Sequence, residues 1–137
     1  MKKMLALLFL AALMSGAAAG NAGAVDEIAQ RLTAMSVRQD VPEDDPRIGQ
    51  TRKLLDKAVK LTHEEPLAVA TACSRYAGHL FDAIHERATP LELLEALTTF
   101  GKPGKPMNET LQDYTVARKS AAAKSHAEAM AALGKKK

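Results

Sequence analysis

Three side chains with the chemistry of metal ligands share one predicted helix face: His79, Asp82 and Glu86. Steps of three and four residues place them on the same side of an α-helix. An imidazole and two carboxylates in this pattern form a ligand set for zinc or manganese. Zinc sites, however, usually contain two histidines four residues apart or a CxxC pair, and neither occurs here. We therefore favour a solvated face with charge pairs between neighbouring turns.

Basic side chains offer a second kind of chemistry, the binding of an acidic partner. Arg75 lies one turn before His79 on the same face, and Lys135, Lys136 and Lys137 end the chain. From position 114 to 137 there are six basic residues and one acidic residue, whereas positions 26–46 carry six acids and two arginines. Such blocks usually remain solvated, but a basic tail could contact an acidic protein, anionic lipid, or the acidic segment of its own or a neighbouring chain. These five residues are our interaction candidates.

Cys73 is the only cysteine, so no disulfide can form within the chain. It lies in the apolar stripe of its predicted helix, where a small apolar side chain fills the core. A disulfide to another molecule is the alternative. His79 is six residues away, about 240° around the helix, so the two cannot pair there as nucleophile and base.

Sequence signatures of known catalytic and cofactor sites are absent. The chain contains no CxxCH, no GxSxG, no GxGxxG and no glycine-rich phosphate loop. We predict no catalytic residue and no cofactor. A small hydrolase or isomerase with an unrecognised site is the remaining enzymatic interpretation.

The helix that carries these residues is predicted from Leu67 to Ala88, directly after Pro66. Its apolar residues recur every three or four positions, which is the period of a helix with one buried face. They are Val69, Cys73, Tyr76, Ala77, Leu80, Phe81, Ile84 and Ala88. We predict a central helix whose apolar stripe is covered by the others.

Capping and proline signals divide the rest of the chain into further helices. The first is predicted over positions 25–35, the second from Asp45-Pro46 to about His63, and the last from about Asn108. Thr89-Pro90-Leu91-Glu92 is a capping box that starts a short helix ending at Gly101. The junction before Pro66 fits either a kinked helix or a short turn. The predicted fold class is all-α: a small bundle of four to five mostly antiparallel helices after a cleaved signal peptide.

The N-terminus has the three regions of a secretory signal peptide. Two lysines precede an uncharged apolar run over residues 4–14, and Ala17-Ala18-Ala19 provides a cleavage site. The apolar run is too short to span a bilayer, which requires about 20 residues. We predict a signal peptide at 1–19, a flexible N-terminus at 20–24 and a helical domain at 25–120. Residues 121–137 form an Ala/Lys-rich helix extension and basic tail that frays or projects. Cleavage after Ala24 is an alternative.

These features lead to one functional hypothesis and one alternative. After cleavage near Ala19 the chain has 17 basic and 16 acidic residues. It would be located in a bacterial periplasm or secreted. Nucleic acid is an unsuitable partner because no aromatic residues interleave the basic ones. We expect a non-enzymatic helical protein that binds another protein, as an immunity protein, inhibitor, adaptor or chaperone does, or that forms a homodimer. The alternative is a metal- or cofactor-binding protein that uses His79, Asp82 and Glu86.

Overall fold

Six α-helices follow one another in the computed structural model, which describes residues 17–85, 87–120 and 125–135. They are α1 (Ala17–Val37), α2 (Pro46–Thr62), α3 (Pro66–Ile84), α4 (Pro90–Phe100), α5 (Met107–Lys119) and α6 (His126–Lys135). No residue in these ranges lies in a β-strand, which confirms the all-α class. None of these helices combines the length and apolar character needed to cross a membrane.

The first helix begins earlier than its apolar pattern indicated. α1 starts at Ala17, so the backbone is helical through residues 20–24, where we predicted a flexible N-terminus. Most of the predicted signal peptide lies outside the described residues, and its cleavage stays a prediction.

Two helix starts form as their sequences predicted. Asp45 precedes Pro46 at the start of α2, and its side chain accepts a hydrogen bond from the Arg47 amide. Thr89 and Glu92 form a complete capping box at α4: each side chain accepts a bond from the other residue's backbone amide. These bonds satisfy amides that a helix start would otherwise leave without acceptors.

Two histidines end helices by adopting positive φ angles. His63 (φ 58°) terminates α2 and His85 (φ 56°) terminates α3. The junction before Pro66 is therefore a short turn rather than a kinked helix. α3 also ends earlier than predicted, at Ile84.

The centre of the fold is α4, although α3 was predicted to be the central helix. α4 packs against every other helix. Six of its 11 residues are buried, among them Leu93, Leu94 and Leu97. One exposed residue belongs to the predicted stripe of α3: Phe81 is 45% exposed, which corrects its assignment to the buried face.

The C-terminal segment packs against the domain instead of projecting from it. α6 lies against α5 and α4, and its residues Ala129 and Leu133 are buried. Alanine at positions 129 and 132 allows the helix to approach the core closely, while Leu133 supplies apolar area. The expected fraying or projecting extension is thus not what the described residues form. Residues 121–124 lie outside the described ranges.

Candidate interaction site

The proposed metal ligands do not form a closed site in the described part of the chain. His79 and Asp82 are both exposed on α3, and Glu86 lies outside the described residues. Among the described residues, no group of three or more His, Cys, Asp or Glu side chains could hold a metal ion.

His79 has its contact across the fold, with a helix 40 residues further along the chain. The Lys119 ammonium on α5 donates to Nε2 of His79 at 3.1 Å. Because Nε2 accepts this bond, it carries no proton in this arrangement. Among the described residues, this contact of His79 joins α3 to α5 and does not join neighbouring turns of α3.

Two further donors flank this contact. Arg75 lies one turn before His79, with its guanidinium 6.0 Å from the centre of the Tyr76 ring. Gln112 of α5 lines a shallow depression together with Arg75, Tyr76 and His79. We call Arg75, His79 and Lys119 the basic cluster. Two of our interaction candidates, Arg75 and His79, therefore lie together, and Lys119 joins them. Lys135 is exposed at the end of α6, and Lys136 and Lys137 lie outside the described residues.

A separate apolar groove lies between α1 and α3. Its volume is about 250 Å³. Apolar side chains dominate its lining, and Glu27 and Arg31 form an ion pair at 3.6 Å on its α1 side. We call this surface the α1/α3 groove; its lining residues are Ala24, Glu27, Ile28, Arg31, Leu32, Met35, Leu67, Ala70, Thr71 and Ser74.

Two large apolar side chains of the groove remain open to solvent. Met35 is 52% exposed and Leu67 is 45% exposed. The Ser74 hydroxyl approaches the Met35 sulfur at 3.9 Å, so the two helices meet at that end of the groove. Exposed apolar surface gathered in a concave site is typical of a place where another molecule binds.

A polar chain connects α4, α5 and α6 in the interior. Arg118 donates to the Tyr114 oxygen at 2.8 Å, and Tyr114 lies 2.7 Å from Nδ1 of His126. Nε2 of His126 lies 2.9 Å from a Glu95 carboxylate oxygen. One set of protons fits all three bonds: Tyr114 donates to Nδ1, and Nε2–H donates to Glu95. A second carboxylate, that of Glu92, lies 3.7 Å from the Arg118 guanidinium.

This polar chain stabilises the fold, and its Tyr114 and Arg118 side chains are buried. Tyr114 is completely buried, and burial raises its pKa to about 12. The hydroxyl therefore stays protonated at neutral pH and has no access to solvent. Its bonds hold the start of α6 against α5.

Cys73 is buried in the core, as its place in the apolar stripe predicted. Burial raises the pKa of its thiol to about 12. A thiol in this state is neither the thiolate nucleophile of an enzyme nor accessible to a second molecule.

No family model, curated protein or solved structure matches this chain.

Sequence reasoning missed the α1/α3 groove and found only part of the basic cluster. Met35 falls on the apolar side of the first helix, and periodicity does not show where a neighbouring helix leaves a groove open. Lys119 and His79 are 40 residues apart, and no local pattern relates them. The charge imbalance toward the C-terminus and the helical spacing of Arg75 and His79 were the signals that pointed to a basic surface.

Proposed function

We propose that the chain is an exported helical protein that acts by binding another protein, and that the partner binds in the α1/α3 groove. The observation that carries this proposal is the exposure of Met35 and Leu67 within one apolar concavity. The occupant that fits best is an amphipathic helix of the partner. Helix-in-groove binding places apolar side chains at three- and four-residue steps against such a surface.

The length of the groove supports a helical occupant. Its α1 side extends from Ala24 to Met35, which corresponds to about 16 Å at 1.5 Å per residue. A partner helix of about three turns covers that distance. The ion pair of Glu27 and Arg31 lies at the edge, where charges orient a partner and speed its association more than they add affinity.

The exposed apolar area limits how much each contact contributes. Burial of a whole Met or Leu side chain contributes about 1.5–3 kcal/mol. Since Met35 and Leu67 are about half exposed, we expect about 1 kcal/mol from each. Together they would change the affinity roughly 30-fold. Met35 can also adapt its unbranched side chain to the shape of the partner.

The reactive side chains support binding rather than catalysis. The Cys73 thiol is buried with a pKa of about 12, and the Tyr114 hydroxyl is buried within the polar chain. Export rests on the signal-peptide pattern of residues 1–19. N-terminal sequencing of the mature protein should therefore find Gly20 first.

Site-specific photo-cross-linking in the producing cells tests the proposal. A benzophenone amino acid replaces Met35 in the groove. In the matched control it replaces Val116 on α5, which is equally exposed at 52% and does not line the groove. We expect position 35 alone to form an adduct with a defined protein, through a peptide with apolar residues at helical spacing. Leu67→Glu should abolish that adduct without changing the circular dichroism spectrum.

Three results would contradict the proposal. Equal cross-linking from positions 35 and 116 would indicate non-specific collisions. An adduct between two copies of this chain would identify a homodimer instead of a different partner. The lack of any adduct at position 35, with the protein folded and exported, would mean that the groove is not an interface.

A further inference from the structure

The basic cluster lies at a shallow depression between α3 and α5. Arg75 and His79 of α3 line this depression together with Gln112 of α5. Lys119 of α5 contacts His79. The depression has a volume of about 260 Å³, which is ample for a phosphate group. Guanidinium and ammonium groups are the side chains that proteins use most to bind phosphate.

No acid among the described residues forms an ion pair with the basic cluster. Asp113 of α5 pairs instead with Lys105 at 2.9 Å. Asp82 lies one turn beyond His79 on α3 and is the nearest acid along that helix. Within the described residues, the charges of Arg75 and Lys119 are thus not engaged in an ion pair.

The contact between Lys119 and His79 is a poor substitute for an anionic partner. An ammonium group bonded to a neutral ring gains one hydrogen bond, whereas bonds to an ionised acceptor are about twice as strong. Lys119 is long and exposed, so its ammonium group can turn from Nε2 toward an oxygen of a ligand at little cost.

We propose that the basic cluster binds a phosphate group, with Arg75 and Lys119 as the charged donors and Gln112 beside them as a neutral one. A phosphate dianion has several acceptor oxygens directed to different sides, which suits donors on two helices better than a planar carboxylate does. Inorganic phosphate, a small phosphomonoester or a lipid headgroup could each supply this group. This site does not depend on the α1/α3 groove, which is lined by α3 residues from Leu67 to Ser74.

NMR titration of the mature protein with inorganic phosphate tests the site. Phosphate replaces chloride during the titration, so that the ionic strength stays constant. We expect saturable shifts of the His79 ring and of the Arg75 and Lys119 amides, at millimolar affinity. Separate titrations with glycerol 3-phosphate, and with phosphatidic acid vesicles against phosphatidylcholine vesicles, distinguish the three sources. The source that binds most tightly identifies the form of the ligand.

Charge variants separate a built site from general attraction. Arg75→Gln and Lys119→Gln should each weaken phosphate binding about fivefold, since each removes one charge-assisted bond at an exposed site. Asp82→Asn should tighten binding about twofold by removing a nearby negative charge. The matched control is Lys57→Gln on α2, where an exposed lysine outside the cluster is replaced with the same change in net charge.

Two outcomes would overturn the phosphate site. Chemical shift changes that increase linearly with phosphate concentration and do not saturate would indicate only non-specific ionic effects. A loss in Lys57→Gln as large as in Lys119→Gln would show attraction by net charge. Because all the substituted side chains are exposed except for their contacts in the cluster, circular dichroism should show each variant folded. A Leu67→Glu variant should bind phosphate as the parent does, whether or not the groove binds a protein.

Discussion

Replacement of Tyr114 by phenylalanine should reveal how strongly the polar chain stabilises the fold. The change removes only the hydroxyl that joins Arg118 and His126, at 2.8 Å and 2.7 Å. The ring remains in its buried place, so no large cavity forms. What is lost is one acceptor of a buried guanidinium and the donor to an imidazole.

The expected cost is about 2 kcal/mol in the free energy of unfolding. A bond between neutral groups contributes about 1 kcal/mol, and a bond to a charged group about 1.5–3 kcal/mol. The expected total lies slightly below the sum of these two contributions, since the His126 side chain is 22% exposed and water can replace its lost partner. For a domain of this size we expect the melting temperature to fall by about 6–12 °C.

Urea and thermal unfolding of Tyr114→Phe measure this cost, and Tyr76→Phe is the matched control. Tyr76 is the other tyrosine, and no hydrogen bond of its hydroxyl occurs among the described residues. Its substitution should change stability by less than about 0.5 kcal/mol. Hydrogen exchange should also show faster opening of α6 in Tyr114→Phe. Equal stability of the two variants would refute the stabilising role of the polar chain.

Three further predictions concern pH and the helix glycines. In the folded state the pKa values of Cys73 and Tyr114 are raised from their ordinary values of 9.0 and 10.0 to about 12. The stability that these protonated groups contribute is therefore fully present below about pH 9 and is lost as the pH rises toward 12. Urea denaturation at pH 8–12 should show the free energy of unfolding begin to decline near pH 10 in Cys73→Ala, about one pH unit higher than in the parent. An unchanged onset would contradict burial of the thiol. The Arg47 side chain lowers the pKa of Asp45 from 3.8 to about 2, so the stability due to this cap is present above pH 4 and is lost as pH falls toward 2. Asp45→Ala should lower the melting temperature at pH 7 but have little effect at pH 2, and an equal loss at both values would exclude the charged cap. Gly49→Ala should raise the free energy of unfolding by about 0.5–1 kcal/mol because open space surrounds the new methyl group. Gly101→Ala should lower it because the new methyl group would collide with the Leu97 carbonyl oxygen. Chemical denaturation of both variants checks this pair, and a destabilised Gly49→Ala would contradict it.

Local sequence was sufficient to predict where two helices start and that one residue is buried in the core. The Thr89–Glu92 capping box and the Asp45 cap depend on atoms within a few residues of each other, so their spacing alone specifies the bonds. Cys73 is buried because it lies in the middle of an apolar stripe, which helical periodicity locates well.

The limits of the buried surface were not predictable in the same way. Phe81 and Met35 fall on apolar stripes and yet remain 45% and 52% exposed. Periodicity gives the direction of a side chain around its own helix, but it does not specify where the neighbouring helix ends. The α1/α3 groove is a consequence of that packing.

By itself the sequence determined the all-α class, the helix caps at Asp45 and Thr89, and the burial of Cys73, since these depend on local bonds and helical periodicity. Only the tertiary structure decided that α4 is the central helix, that His126 fixes α6 to Tyr114 and Glu95, and that Lys119 meets His79. Those contacts join residues 12, 31 and 40 positions apart. Their formation depends on how whole helices pack, because each bond becomes favourable only once apolar burial has brought the helices together.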